Sequence, residues 1–168
     1  MSNVFIFSGE KGVGKSTYLQ EIFLRKQNVC GILQPRIKGI KYLVDVISGE
    51  KRKLELENQT EEEKVVTIGN YIFSSEALLW AQQILVDALQ SPNRLIIIDE
   101  LGPLELCGSG LEPLLTQIIS KAITEEKKLI LVVRPTLIDL IIAKYNLSST
   151  VVIHHGEIFP SDLIHKLT

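Results

Sequence analysis

Val4-Phe-Ile-Phe-Ser-Gly-Glu-Lys-Gly-Val-Gly-Lys-Ser-Thr17 decides how this chain is read. Val4 to Phe7 form a short continuous apolar run, suited to a strand buried on both faces of a parallel sheet. Gly9 to Ser16 satisfy the pattern G-x-x-x-x-G-K-S/T. Beyond them Leu19, Ile22, Phe23 and Lys26 recur at helical spacing, so strand, tight loop and helix follow in order. This context gives the pattern a physical reason. Glycines let the backbone of Gly9, Glu10, Lys11, Gly12, Val13 and Gly14 turn its N–H groups inward around phosphates. The helix opening at Lys15, Ser16 and Thr17 adds the positive end of its dipole. Lys15 is expected to bridge the β- and γ-phosphates of a nucleotide, and the Ser16 hydroxyl to ligate Mg²⁺. A glycine-rich turn without a ligand would leave Lys-Ser at the helix start unexplained.

A second motif completes the first. Leu95-Ile-Ile-Ile-Asp-Glu100 is an apolar strand ending in two carboxylates, the pattern of a Walker B strand. At the carboxyl end of a central strand Asp99 can hold Mg²⁺ through water, on the edge where a phosphate loop also sits. Glu100 beside it can orient and deprotonate a water for attack on the γ-phosphorus, which favours hydrolysis over transfer. Read alone, the two acids could simply close a strand at the surface. In this class of fold the next strand, here Leu129 to Val133, inserts between the two motif strands, so Arg134 is aimed at the γ-phosphate as a catalytic stabiliser or sensor. The alternative for Arg134 is a pair with a surface acid, and Arg36 carries the same two readings. His154 and His155 have no third ligand in sequence and read as a solvated turn.

The rest of the chain reads as one α/β domain over residues 1–168. Gly31 to Gln34 is a second buried strand, stopped by Pro35. Ile40, Tyr42, Val44 and Val46 alternate, Ser48-Gly49-Glu50 supplies a turn, and Leu54 and Leu56 alternate again, the signature of an antiparallel hairpin. Asn58 to Lys64 is a polar, acidic loop and Ile68 to Phe73 a further strand. Ser74 or Ser75 caps a helix with Ala77, Leu78, Ala81, Ile84, Leu85, Ala88 and Leu89 on its apolar face. Leu111 to Thr124 and Thr136 to Lys144 are helices, and Val151 to Ile153 is the last strand. Alternating strands and helices predict a three-layer sandwich with a mostly parallel sheet and an antiparallel hairpin added at an edge.

Composition narrows the function. The 168 residues carry 18 Lys+Arg against 20 Asp+Glu, a net charge of -2. The longest basic run is Lys51-Arg52-Lys53, so the attraction that drives nucleic-acid binding is missing and no nucleic-acid partner is expected. A chain of this length buries roughly 70% of its unfolded surface and needs no disulfide or structural metal. Cys30 and Cys107 lie far apart without metal spacing and read as reduced small hydrophobes. The start shows no basic segment leading into an apolar one, and no stretch approaches the ~20 apolar residues of a membrane span. A cytoplasmic monomer without membrane contact is expected.

With both motifs placed, the chain resembles the small nucleoside-triphosphatase family of P-loop proteins found in thermophiles and, in animals, as cancer-related nucleoside-triphosphatase. The resemblance covers nearly the whole length. Its most specific part beyond the phosphate loop is Asp99-Glu-Leu-Gly-Pro-Leu-Glu-Leu106, similar to that family's D-E-I-G-x-M-E-L. Gly31-Ile-Leu-Gln-Pro-Arg36 and Ile68-Gly-Asn-Tyr71 also fit its pattern. The resemblance implies a RecA-like sheet and Mg²⁺-dependent hydrolysis of several nucleoside triphosphates with little base selectivity. Lys15, Ser16, Asp99 and Glu100 carry over by direct match; Glu105 matches without an evident chemical role. The chain departs from the pattern at Glu10, Lys11 and Arg134-Pro135. Glu10 and Lys11 replace prolines usual after the first loop glycine. Glu10 also stands where dimeric ATPases with a deviant phosphate loop carry their signature lysine, and Arg134-Pro135 replaces two basic residues. Two other functions fit the motifs: a slow nucleotide-binding switch or assembly factor, and a small nucleotide-dependent kinase. No N-K-x-D guanine-reading sequence and no arginine-rich lid segment occurs. Tyr18 and Tyr145 are the aromatic side chains that could stack on a base or simply pack.

Overall fold

The computed structural model describes residues 3–58, 64–160 and 163. Most of the loop expected at Asn58 to Lys64 therefore lies outside the described residues. Five parallel strands build the centre: β1 (Val4–Ser8), β2 (Val29–Leu33), β9 (Leu95–Leu101), β10 (Lys128–Val133) and β11 (Thr150–His154). Their spatial order is β11-β1-β10-β9-β2, so β10 does insert between β1 and β9. Beyond β2 the sheet turns antiparallel through β4 (Ile40–Asp45), on which β3 (Arg36–Ile37) and β5 (Lys51–Lys53) pair. This is the edge hairpin read from the sequence.

Alternation along the strands divides the core. Val4, Ile6, Ile96, Ile98, Leu129 and Leu131 face α2 (Ser75–Gln90), α4 (Leu114–Thr124) and α5 (Ile138–Tyr145). Phe5, Phe7, Leu95, Ile97, Ile130 and Val132 pack with Leu19 and Phe23 of α1 (Lys15–Phe23) and with Phe159. Helices thus cover both faces of the sheet, and β1, β2, β9 and β10 carry continuous apolar runs because both of their faces are buried there. The result is the three-layer P-loop sandwich with a RecA-like sheet. Helix α2 starts as expected, the Ser74 hydroxyl accepting from the Ala77 amide at 3.2 Å.

Several local expectations are corrected. Ile68 to Phe73 is not one strand. Gly69 takes a left-handed φ of 54°, and the chain reverses into a hairpin of β7 (Val65–Ile68) and β8 (Tyr71–Ser74). With β6 (Glu55–Leu56) these form a separate small sheet, which removes Leu56 from the edge hairpin. Along β4 the side chains of Lys41 and Leu43 are buried while Tyr42 is half-buried, one residue out of phase with the alternation read from Ile40 and Tyr42. Helix α4 begins at Leu114 rather than Leu111, after a short helix α3 (Pro103–Leu106) that apolar periodicity does not announce. A single 3₁₀ turn, Pro135–Leu137, precedes α5. Cys30 is buried, which pushes its thiol up to about 11, whereas Cys107 is exposed just after α3.

Candidate active site

The carboxyl ends of β1, β9 and β10 meet at one cavity of about 860 Å³ including its open mouth. Lys11, Gly12, Gly14, Lys15, Ser16 and Thr17 line it from one side, and Asp99, Glu100 and Arg134 from the other. Gly12 and Gly14 adopt φ of 82° and 93°. A Cβ at either would meet no atom, so glycine is needed there for its backbone conformation. Gly9, Glu10 and Val13 do not line the cavity. Gly9 and Glu10 instead present their carbonyls to Lys15, whose Nζ donates to them at 2.6 and 2.7 Å. Burial holds the Lys15 ammonium below its ordinary value, against the opposing pull of Asp99 and Glu100.

Asp99 is 1% exposed. Its Oδ2 accepts from the Gln34 amide at 2.8 Å, and the Gln34 side chain donates to the Asp99 carbonyl, also at 2.8 Å. Burial pushes its carboxyl up to about 6, although hydrogen bonds from Ser16 and Gln34 oppose the rise. None of the ion pairs among the described residues neutralises it. A buried carboxylate beside the Ser16 hydroxyl is a hard-oxygen donor pair, and Mg²⁺ is commonly held by one or two such groups together with substrate phosphates. The donor set fits that ion.

Glu100 shares this cavity because β9 bulges. Leu131 pairs with Ile98, yet Val133 pairs with Leu101, so β9 carries one residue more than β10 across that step. Glu100 takes up the extra residue with a left-handed φ of 59°. Successive side chains of a regular strand point to opposite faces; the bulge aims both carboxylates at the same cavity. Two cations then hold Glu100: Lys41 Nζ lies 2.8 Å from Oε2, and Arg134 donates to Oε1 at 2.9 Å. Burial works against its ionisation most strongly, but Lys41 and Arg134 together outweigh it and keep the carboxyl below its ordinary value.

Arg134 thus stands where the topology implied, and its partner is a site carboxylate rather than a surface acid. Arg36 lines the cavity but pairs with Glu55 at 2.9 Å. Glu105 is structural in its contacts, accepting from the Gly102 and Leu111 amides and so folding the turn around α3. Tyr145 is remote, donating to Glu112 at 2.7 Å, and Tyr18 stacks on Phe7 and Phe159. His154 and His155 close β11 as exposed residues. Sequence reading missed Lys41 and Gln34. A lysine at an inward position of an otherwise apolar strand is the signal that could have found Lys41, had the phase of β4 been known.

The profile of a family described as NTPase matches residues 3–156. The chain belongs to the NTPase family. As an NTPase it hydrolyses nucleoside triphosphates. The crystal structure of THEP1 from the hyperthermophile Aquifex aeolicus is similar in fold, with a TM-score of 0.65 and 20% identity over 90% of this chain and 88% of that one. The solution structure of a human cancer-related nucleoside triphosphatase gives a TM-score of 0.59 and 18% identity over 99% and 94%. Among curated proteins no significant match is found. No helix of this NTPase, among the described residues, is long and apolar enough to cross a membrane.

Proposed function

We propose that this NTPase converts nucleoside 5′-triphosphates, ATP and GTP among them, to the diphosphate and phosphate in an Mg²⁺-dependent reaction with little base selectivity, as a monomer in the cytoplasm. The observation that supports this reading is the convergence of the glycine-rich loop and two successive carboxylates on one cavity. The triphosphate lies along the loop amides and the start of α1, where Lys15 exchanges the Gly9 and Glu10 carbonyls for phosphate oxygens. Ser16 and Asp99 hold Mg²⁺, which supplies charge neutralisation on the phosphates. Glu100 accepts the proton of the attacking water.

The ion pairs around Glu100 suggest an order of events. The γ-phosphate is a stronger attractor for a guanidinium than one carboxylate, because it offers more acceptor oxygens and more charge. Its arrival draws Arg134 from Glu100, which leaves the carboxylate oriented by Lys41 and brings the arginine to the charge that develops in transfer. An arginine so engaged can be worth ~10³–10⁵ in rate. Phosphate release with Mg²⁺ from ATP, GTP, CTP and UTP, wild type beside Glu100→Gln, tests the reading. All four should be hydrolysed, and the variant should lose ~10²-fold or more, as expected for a missing base. Equal rates for the two proteins would remove Glu100 from the mechanism.

A further inference from the structure

A second cavity, of about 740 Å³ with its mouth, shares Lys11, Gln34, Arg36, Glu100 and Arg134 with the first and extends away from Lys15 and Ser16 toward the small sheet and α3. Its chemistry differs from that of the phosphate cavity. Leu54, Tyr71, Phe73, Leu78 and Leu104 give it an apolar wall. Tyr71 is 39% exposed and its ring stacks on Phe73 with centroids 6.1 Å apart and planes 14° from parallel, so a flat, backed aromatic face is on offer. Arg36 and Lys41 add positive charge, each paired with a carboxylate. Lys11 has no acidic partner among the described residues and donates to the Tyr71 hydroxyl at 3.2 Å, joining the phosphate loop to this wall.

The position of Glu100 decides what such a cavity can do. Glu100 and Arg134 mark the γ-phosphate end of the first cavity, so a molecule in the second meets the γ-phosphorus and not the base of the bound nucleotide. Water needs no flat apolar wall. We propose that the second cavity binds a ring-bearing alcohol, and that its hydroxyl competes with water for the γ-phosphoryl group. This rests on the triphosphate reading given above. The alcohol oxygen bonds to the γ-phosphorus as the bond from that phosphorus to the bridging oxygen breaks. The nucleoside diphosphate leaves with that electron pair, and the hydroxyl proton passes to the Glu100 carboxylate and on to solvent.

The test supplies ATP labelled in the γ-phosphate, with Mg²⁺, together with each ribonucleoside or each ribonucleoside 5′-monophosphate, and separates labelled products. At least one acceptor should divert label from inorganic phosphate into an organic phosphate. Transfer to a hydroxyl of nucleosides would show that ring and hydroxyl suffice, transfer to a hydroxyl of monophosphates alone would assign Lys11 and Arg36 to an anion on the acceptor, and label found only in a nucleoside diphosphate would make a phosphate oxygen the nucleophile and overturn the alcohol. Tyr71→Ala should lower the ratio of organic to inorganic label at least ~5-fold, the low end for loss of a base-stacking aromatic; phosphate release in the same sample reports that the variant is folded. Label found only in inorganic phosphate, or a ratio that Tyr71→Ala leaves unchanged, overturns the proposal while hydrolysis stands. Absence of both products from wild type overturns the triphosphate reading as well.

Discussion

Asp99 shows how a buried charge can serve a site at the expense of the ligand-free fold. Its carboxyl titrates at about 6 instead of 3.8 because burial disfavours the anion, a difference of at most about 3 kcal/mol. The sign follows from linkage: a raised acid contributes stability that is fully present below 3.8 and is lost as the pH rises to about 6. At neutral pH the free protein therefore carries the whole penalty, which the proposed Mg²⁺ would offset. Asp99→Asn keeps an acceptor for the Gln34 amide and removes the charge. In EDTA at pH 8 it should melt ~3–10 °C above wild type, with a smaller margin at pH 5, and it should lose hydrolysis. Thermal melts at the two pH values check this; a variant no more stable than wild type at pH 8 would show that Asp99 is not a strained anion.

At the scale of elements, the bulge in β9 is the device that makes the site, and its backbone contribution can be isolated. A non-glycine residue at φ 59° costs roughly 1–2 kcal/mol. Glu100→Ala and Glu100→Gly both remove the pairs with Lys41 and Arg134, so their difference reports the backbone. Glycine should be the more stable variant by about 1 kcal/mol in urea titrations, reversing the usual preference for alanine in a strand; alanine being the more stable would refute a left-handed Glu100. Neither the bulge nor Lys41 could be read from sequence, and the reason is the same. Apolar runs such as Leu95 to Ile98 reveal a strand buried on both faces, but such runs carry no phase, and β4 likewise buries Leu43 on one side and Val44 on the other. Residues whose role is local to their own turn were legible: Gly12 and Gly14 in the loop, and Ser74, whose hydroxyl caps α2. Ile68 to Phe73 looked like one strand because Gly69-Asn70 is a turn hidden inside an apolar stretch. Asp99 and Glu100 were legible as residue types, while the geometry that lets both face one cavity depends on the pairing of β9 with β10.

Across the whole molecule, the site joins parts of the chain that the sandwich otherwise holds separately. The loop after β1 belongs with the α1 layer, Asp99 and Glu100 lie near the carboxyl end of the central strand β9, Arg134 follows β10, and Lys41 and Tyr71 come from the antiparallel strands and the small sheet. In the free protein Lys15 bonds to its own loop, while Arg134 and Lys41 to Glu100 and Lys11 to Tyr71 bridge these parts. In the proposed mode a triphosphate would replace several of these with bonds to one rigid anion, so its binding energy should appear as stability of the entire domain. A ligand at 100 times its dissociation constant adds about 2.7 kcal/mol, or ~5–10 °C in a domain of this size. A slowly hydrolysed ATP analogue with Mg²⁺ should therefore raise the melting temperature by that amount, and less without the metal, because Asp99 then stays uncompensated. Lys15→Ala should abolish the shift while melting close to wild type without nucleotide, since in the free protein the lysine contacts only the carbonyls of a part-exposed loop. A full shift in the Lys15→Ala protein would mean that the nucleotide is held elsewhere, and would move the search for its site away from the phosphate loop.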